Sequence, residues 1–201
     1  VYQHIYFGDY NLGRIFRSNY DGSNVSVIME GVEGIEGLAV DWINRLMYWI
    51  SFTSVTIEIA TLDGLYRNIL INTGLRAPRG IAVDPIAGYL FWTDRLSHAI
   101  ERSSLDGSNR VTLVTDSIRW PSGVTLDTTQ RLVYWTHGYQ VGSIDYDGNN
   151  RRLIFDYTTL SPSTTYSFDL DISGDYVYFS EWFTNAIYEV KISSGTLERN
   201  I

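Results

Sequence analysis

Four aspartates, Asp41, Asp84, Asp127 and Asp171, each stand seven residues before a pair of aromatic side chains. Carboxylates brought together would suit metal binding or general acid–base chemistry. Their even spacing points to a plainer role: one per structural unit, closing a strand and accepting backbone N–H groups from the turn that follows. A second acidic run, Asp169, Asp171 and Asp175, lacks the Asp-x-Asp-x-Asp-Gly order of a calcium loop. The chain has no Gly-x-Ser-x-Gly, no His-Glu-x-x-His, no phosphate-cradling glycine loop and no cysteine nucleophile. No catalytic residue, metal ligand or cofactor is therefore assigned, and the chain is not expected to be an enzyme.

Residues suited to recognition are of another kind. Glu33 and Glu36 fall in one connection, Arg79 in the next and Trp120 in the one after, while Tyr139, Trp182 and Phe183 follow the aromatic pairs. Aromatics beside charges in connections are the composition of a protein-binding surface, so these seven are expected to contact a ligand. His98 and His137 fall in similar connections and are the candidates for a response to acid. Asn24-Val25-Ser26 would accept an N-linked glycan in a secreted chain.

The elements that must position these residues repeat. Phe91-Trp92-Thr93-Asp94 recurs as Tyr6-Phe7-Gly8-Asp9, Tyr48-Trp49-Ile50-Ser51, Tyr134-Trp135-Thr136-His137 and Tyr178-Phe179-Ser180-Glu181, at spacings of 42, 43, 43 and 44. Gly-Ile-Ala-Val-Asp at 80–84 recurs at 37–41 and 123–127, and in degraded form at 167–171, with Asp169 where Ala39, Ala82 and Thr125 stand. Asp-Gly turns recur at 21–22, 63–64, 106–107 and 147–148. Gly accepts the positive φ that two-residue hairpins require. Each unit reads as four strands, at 80–84, 89–94, 100–105 and 111–115 in the clearest copy. A period in the low forties with four strands per unit marks a β-propeller blade.

The expected fold is all-β: about five blades at 1–34, 35–73, 78–115, 121–155 and 165–201, the first incomplete, with 19 strands in one domain. First strands, read as continuous apolar runs, are expected nearest the axis and pressed from both sides. The second-to-third strand turns and the inter-blade connections fall on one face, which is where binding is expected. A net charge of −8 argues against nucleic acid and favours a basic protein partner. No apolar run is long enough to cross a membrane.

With Leu-Ala-Val-Asp before it and Leu-Asp-Gly after it, the aromatic signature resembles the YWTD, or class B, repeat of the low-density lipoprotein receptor family. The carriers are FWTD at 91–94, YWTH at 134–137, YWIS at 48–51, GLAVD at 37–41, GIAVD at 80–84 and Arg119-Trp120-Pro121-Ser122-Gly123. Ser51 and His137 depart from the signature aspartate. The resemblance implies a six-bladed parent propeller outside the cell, beside cysteine-rich modules, in an endocytic or signalling receptor that passes through endosomes. It also implies a protein ligand on the loop-rich face, with release in acid. A calcium-dependent lactonase-like enzyme and a cytosolic NHL-type scaffold are the alternatives.

Overall fold

The computed structural model describes residues 4–158, 167–182 and 184–200. Within them nineteen strands form five antiparallel sheets, and no helix is present. The first sheet holds β1 (His4–Asp9), β2 (Arg14–Asn19) and β3 (Ser26–Glu30). The second holds β4 (Ile35–Asp41), β5 (Leu46–Ser51), β6 (Thr56–Thr61) and β7 (Arg67–Ile71). The third holds β8 (Pro78–Asp84), β9 (Tyr89–Asp94), β10 (Ala99–Ser104) and β11 (Val111–Val114). The fourth holds β12 (Pro121–Asp127), β13 (Leu132–His137), β14 (Gln140–Asp145) and β15 (Arg152–Asp156). The fifth holds β16 (Ser167–Ser173), β17 (Tyr176–Glu181), β18 (Ala186–Lys191) and β19 (Thr196–Asn200). Strand order follows sequence order throughout, as in propeller blades.

The core lies between sheets, and the signature explains why. Successive side chains of a strand point to opposite faces. Trp49 thus faces the first sheet with Ile15 and Met29, while Tyr48 faces the third with Ile81 and Leu90. Trp92 and Phe91, and Trp135 and Tyr134, divide in the same way. Two adjacent large aromatics are needed because each of the three middle sheets fills two cores. Five sheets give four such cores.

An arginine locks each of three sheets to the connection that enters it. Arg67 lies over Trp49, donates to the Gly31 carbonyl at 2.9 Å and pairs with Glu58 at 2.7 Å. Arg110 lies over Trp92, donates to the carbonyls of Thr73 and Gly74, and pairs with Glu101. Arg151 repeats the contact with Trp135 and the carbonyls of Asp116 and Ser117. Its sheet has Gly142 opposite Trp135, where the others carry Glu58 and Glu101, so it meets only the exposed Asp116, at 3.4 Å.

Two sequence expectations are corrected. The inner strands are not pressed from both sides. β4, β8, β12 and β16 are half-buried because they line an axial cavity of about 350 Å³. They adjoin closely: a Cβ on Gly80 would stand 2.4 Å from the Ser122 carbonyl oxygen, so only glycine fits.

The fifth sheet is also out of the expected register. Asp41, Asp84 and Asp127 pair with Leu46, Tyr89 and Leu132 across four-residue turns, and each accepts two turn amides. In the fifth sheet the pair that closes the turn is Ser173 with Tyr176, two residues closer together. Leu170 then takes the place of Leu38, Ile81 and Val124, opposite the second aromatic of the signature. Asp169 falls where Gly37, Gly80 and Gly123 stand, and Asp171 where Ala39, Ala82 and Thr125 stand. Asp171 therefore closes no turn. It accepts from the Ile172 amide and the Thr125 hydroxyl instead.

Candidate protein-binding surface

At one end of the axial cavity the loop-rich face opens into a pocket of about 240 Å³. Arg79 of β8, Arg95 of the β9–β10 turn, Trp120 of the connection into β12, Phe168 of β16 and Trp182 of the β17–β18 turn line it. Trp120 is 38% exposed and Trp182 65%. Phe168 stacks obliquely on Trp182, with ring centroids 5.6 Å apart, and the Arg79 guanidinium sits 5.4 Å from the Phe168 ring. Arg79 also pairs with Glu36 at 3.1 Å, which joins neighbouring inner strands. Ser122 Oγ donates to the Phe168 carbonyl at 2.7 Å and ties β12 to β16 beneath the pocket. A rigid, partly apolar mouth with a cation at its centre results.

Trp120 is held at a positive φ of 51°, and its amide donates to His98 Nδ1 at 3.3 Å. His98 itself has a φ of 52°. The hydrogen bond thus couples two residues in a conformation that non-glycine residues seldom adopt.

Of the seven residues expected to bind ligand, Glu36, Arg79, Trp120 and Trp182 converge here. Glu33 is exposed elsewhere, its carbonyl accepting from Ser51 Oγ. Tyr139 is half-buried, packs edge-on against Tyr157 and lines a different cavity. Phe183 lies outside the described residues. Phe168 and Arg95 were not anticipated, since nothing in the repeat shows which residues meet across the axis. No sequence signal could have found Phe168: only the shifted register of the fifth sheet gives it the strand position that Glu36, Arg79 and Ser122 hold in the others.

His137 is 5% exposed, and its ring nitrogens lie near Gln140 and the Ser117 backbone without reaching ordinary hydrogen-bond geometry. Burial, and secondly the Arg151 charge, push it down to about 4. That direction opposes the gain of charge in mild acid expected of it. In the axial cavity, Asp169 is open to solvent yet walled by inner strands. That desolvation raises its carboxyl above the usual range, with a smaller push from Asp171. Among the described residues no three His, Cys, Asp or Glu side chains cluster as a metal would need.

The family model of the low-density lipoprotein receptor repeat class B matches residues 45–85, which hold β5 to β8, and 88–128, which hold β9 to β12, so each match runs from the second strand of one sheet to the inner strand of the next. A nidogen of Drosophila melanogaster is 37% identical over 73 residues, which is 35% of this chain and 5% of that protein. The chain thus spans a small part of that relative. A chain solved in a nidogen/laminin complex superposes with a TM-score of 0.91 at 27% identity, over 99% of this chain and 75% of that one. A gluconolactonase from Xanthomonas campestris superposes with a TM-score of 0.77 at 17% identity, over 96% of this chain and 70% of its own, which is a likeness of fold alone. Residues 45–85 and 88–128 thus match the class B repeat of the low-density lipoprotein receptor, and the whole chain has a β-propeller fold like that of the chain solved in the nidogen/laminin complex.

Proposed function

We propose that this propeller is a non-catalytic protein-binding module of an extracellular protein, and that its ligand seats on the mouth of the axial cavity. The observation that carries this reading is convergence: Trp120, Phe168 and Trp182 come from three separate elements and surround Arg79 at one opening. Trp and Arg dominate binding hot spots because they bury large rigid surfaces and keep a polar handle. The likeness to a chain solved in a nidogen/laminin complex supports a protein as the ligand. The net charge favours a basic partner, but the charged lining of this mouth is Arg79 and Arg95, with Glu36 engaged by Arg79. The segment seated there is accordingly apolar with hydrogen-bond acceptors.

The fuller form of the proposal places the module in the ectodomain of an endocytic or signalling receptor, beside cysteine-rich modules. The class B repeats support that setting, and Asn24, exposed beyond β2, is open to a glycan. Acid-dependent release would rest on His98. Its protonation puts a hydrogen on Nδ1 and ends the bond that positions Trp120. Asp94 and Arg95 are the charged residues of its own turn, and Arg119 precedes Trp120 in the chain.

The test is binding to a panel of extracellular proteins that includes laminin. Trp120→Ala and Trp182→Ala should each weaken the ligand by about 2 kcal/mol, roughly thirtyfold, without loss of folding. An empty panel, or wild-type affinity in both variants, ends the reading. For the acid step, His98→Asn should bind alike near neutral pH and in mild acid, where the wild type weakens.

A further inference from the structure

A second cavity on the loop-rich face, about 360 Å³, is lined by Arg119, His137, Tyr139 and Gln140, with Ser117 and Thr158 at its edges. The fourth sheet breaks here from all the others. Elsewhere the residue that ends the signature supplies an oxygen to nearby amides. Asp9 accepts from Asn11 and Leu12, Ser51 from Ser54, Asp94 from Arg76, Ala77 and Ser97, and Glu181 from Thr184. His137 supplies none, and its buried ring has only Gln140 and the Ser117 backbone near it, outside ordinary hydrogen-bond geometry. Of the amides this leaves, that of Trp120 donates to His98 instead. Among the described residues the Arg119 N–H, counterpart of the Arg76 N–H that Asp94 accepts, donates to nothing, and neither do those of Gly138 and Tyr139. The Arg119 side chain is exposed and likewise unpaired among them. The same sheet has lost a second anion through Gly142, which leaves Arg151 beside His137 with only the exposed Asp116. Asp156, the other carboxylate near His137, is engaged by Gln140 and Thr158.

We propose that this cavity is a carboxylate-binding site, in which an acid from outside the chain takes the place of the missing signature aspartate. Amide N–H groups and a guanidinium that no group of the described chain engages are what such an anion takes from water, through charge-assisted hydrogen bonds. Segment 159–166, which follows Thr158, contains no Asp or Glu, so it offers no carboxylate of its own. The site stands apart from the axial mouth and does not depend on the reading given above.

The chemistry admits two sources, an acidic side chain of a partner protein or a free small acid. The intact, nitrogen-15-labelled chain should be titrated near pH 7 with N-acetyl-aspartate N-methylamide and, separately, with acetate. Saturable shifts of the Arg119, Gly138 and Tyr139 amides are expected, and the bound carboxylate should raise the pH at which His137 titrates. Arg119→Ala should weaken binding about tenfold. His137→Asp restores the residue of the third sheet and should abolish binding while the fold is kept. Blocked aspartate binding at least about tenfold tighter than acetate assigns the site to a protein side chain, and equal affinity assigns it to a free acid. The proposal is overturned by the absence of saturable shifts with either probe up to tens of millimolar, or by shifts that survive in His137→Asp.

Discussion

Residue identity matters less in this fold than where a residue falls in the repeat. Trp92 and Trp120 are the same side chain with opposite roles, one fully buried between sheets and one at the rim of a cavity. Truncating Trp92 to Ala should cost about 3–5 kcal/mol of stability, because the surrounding sheets cannot collapse into the space. Truncating Trp120 should leave the denaturation midpoint nearly unchanged, and an equal loss in both variants would refute the assignment. His137 carries the clearest pH signature. In the unfolded chain a histidine titrates near 6.5, whereas in the fold this one is pushed down to about 4. Its contribution is therefore complete above the unfolded value and is lost as pH falls from there toward the folded value. At about 1.4 kcal/mol per unit, stability near pH 5 should lie roughly 2 kcal/mol below that near pH 7. Asp156, whose carboxyl is lowered by Gln140 and Thr158 against its desolvation, acts at lower pH and does not enter that window. Urea titrations of the wild type and His137→Asp at both pH values check this. The decline should disappear in the variant, and a decline of equal size in both rules His137 out.

At the scale of the element, the sheets are held to one another by the arginine contacts as well as by the aromatic cores. Arg110→Ala leaves Glu101 buried without its cation, which typically costs about 3 kcal/mol or more. Arg151→Ala strands only the exposed Asp116, and an exposed pair is worth no more than about 1 kcal/mol. Unfolding free energies should rank the two variants in that order, and the reverse order would show that the carbonyl contacts, not the glutamate, set the cost. These elements were largely legible in the sequence. Landmarks in phase located the second, third and fourth strands, and the Asp-Gly turns fall where expected with φ near 80° at Gly22, Gly64, Gly107 and Gly148. The fifth sheet was not legible, and the reason is physical. A slip of two residues preserves strand alternation, so the apolar pattern fits either register. The seven-residue spacing from Asp171 to Tyr178 was kept while the turn between them shortened. The candidate mouth was less legible for a related cause: Trp120 and Trp182 lie in connections as expected, Glu36 and Arg79 lie in inner strands instead, and closure around an axis, which no local pattern encodes, selects which residues meet.

Across the whole molecule, four inter-sheet cores serve five sheets, so the two outer flanks have no sheet to cover them. They are unlike. The flank of the fifth sheet carries the Glu189–Arg199 pair, at 2.8 Å, with Tyr178 bonded to it. The flank of the first sheet is apolar: Phe7 stacks on Phe16 at 5.3 Å, Phe16 pairs with Val27 in the next strand, and Ile5 lies beside them. Phe7 holds the signature position at which Trp49, Trp92 and Trp135 are fully buried, yet it is 40% exposed. A cross-strand row of this kind loses contact with water only when another surface covers it, and contiguous apolar faces drive association. The 201-residue chain alone is therefore expected to self-associate through the first sheet as its concentration rises. Sedimentation across a concentration series should show this, and Phe7→Glu with Val27→Glu should restore the monomer, because a carboxylate at each position would have to be desolvated in the contact. Ile187→Glu, on the opposite flank, should leave association in place if the contact joins two first sheets, and should abolish it if first and fifth sheets meet. A chain that remains monomeric at every concentration, with Ile5, Phe7 and Val27 intact, would show that the exposed row is too small to drive association.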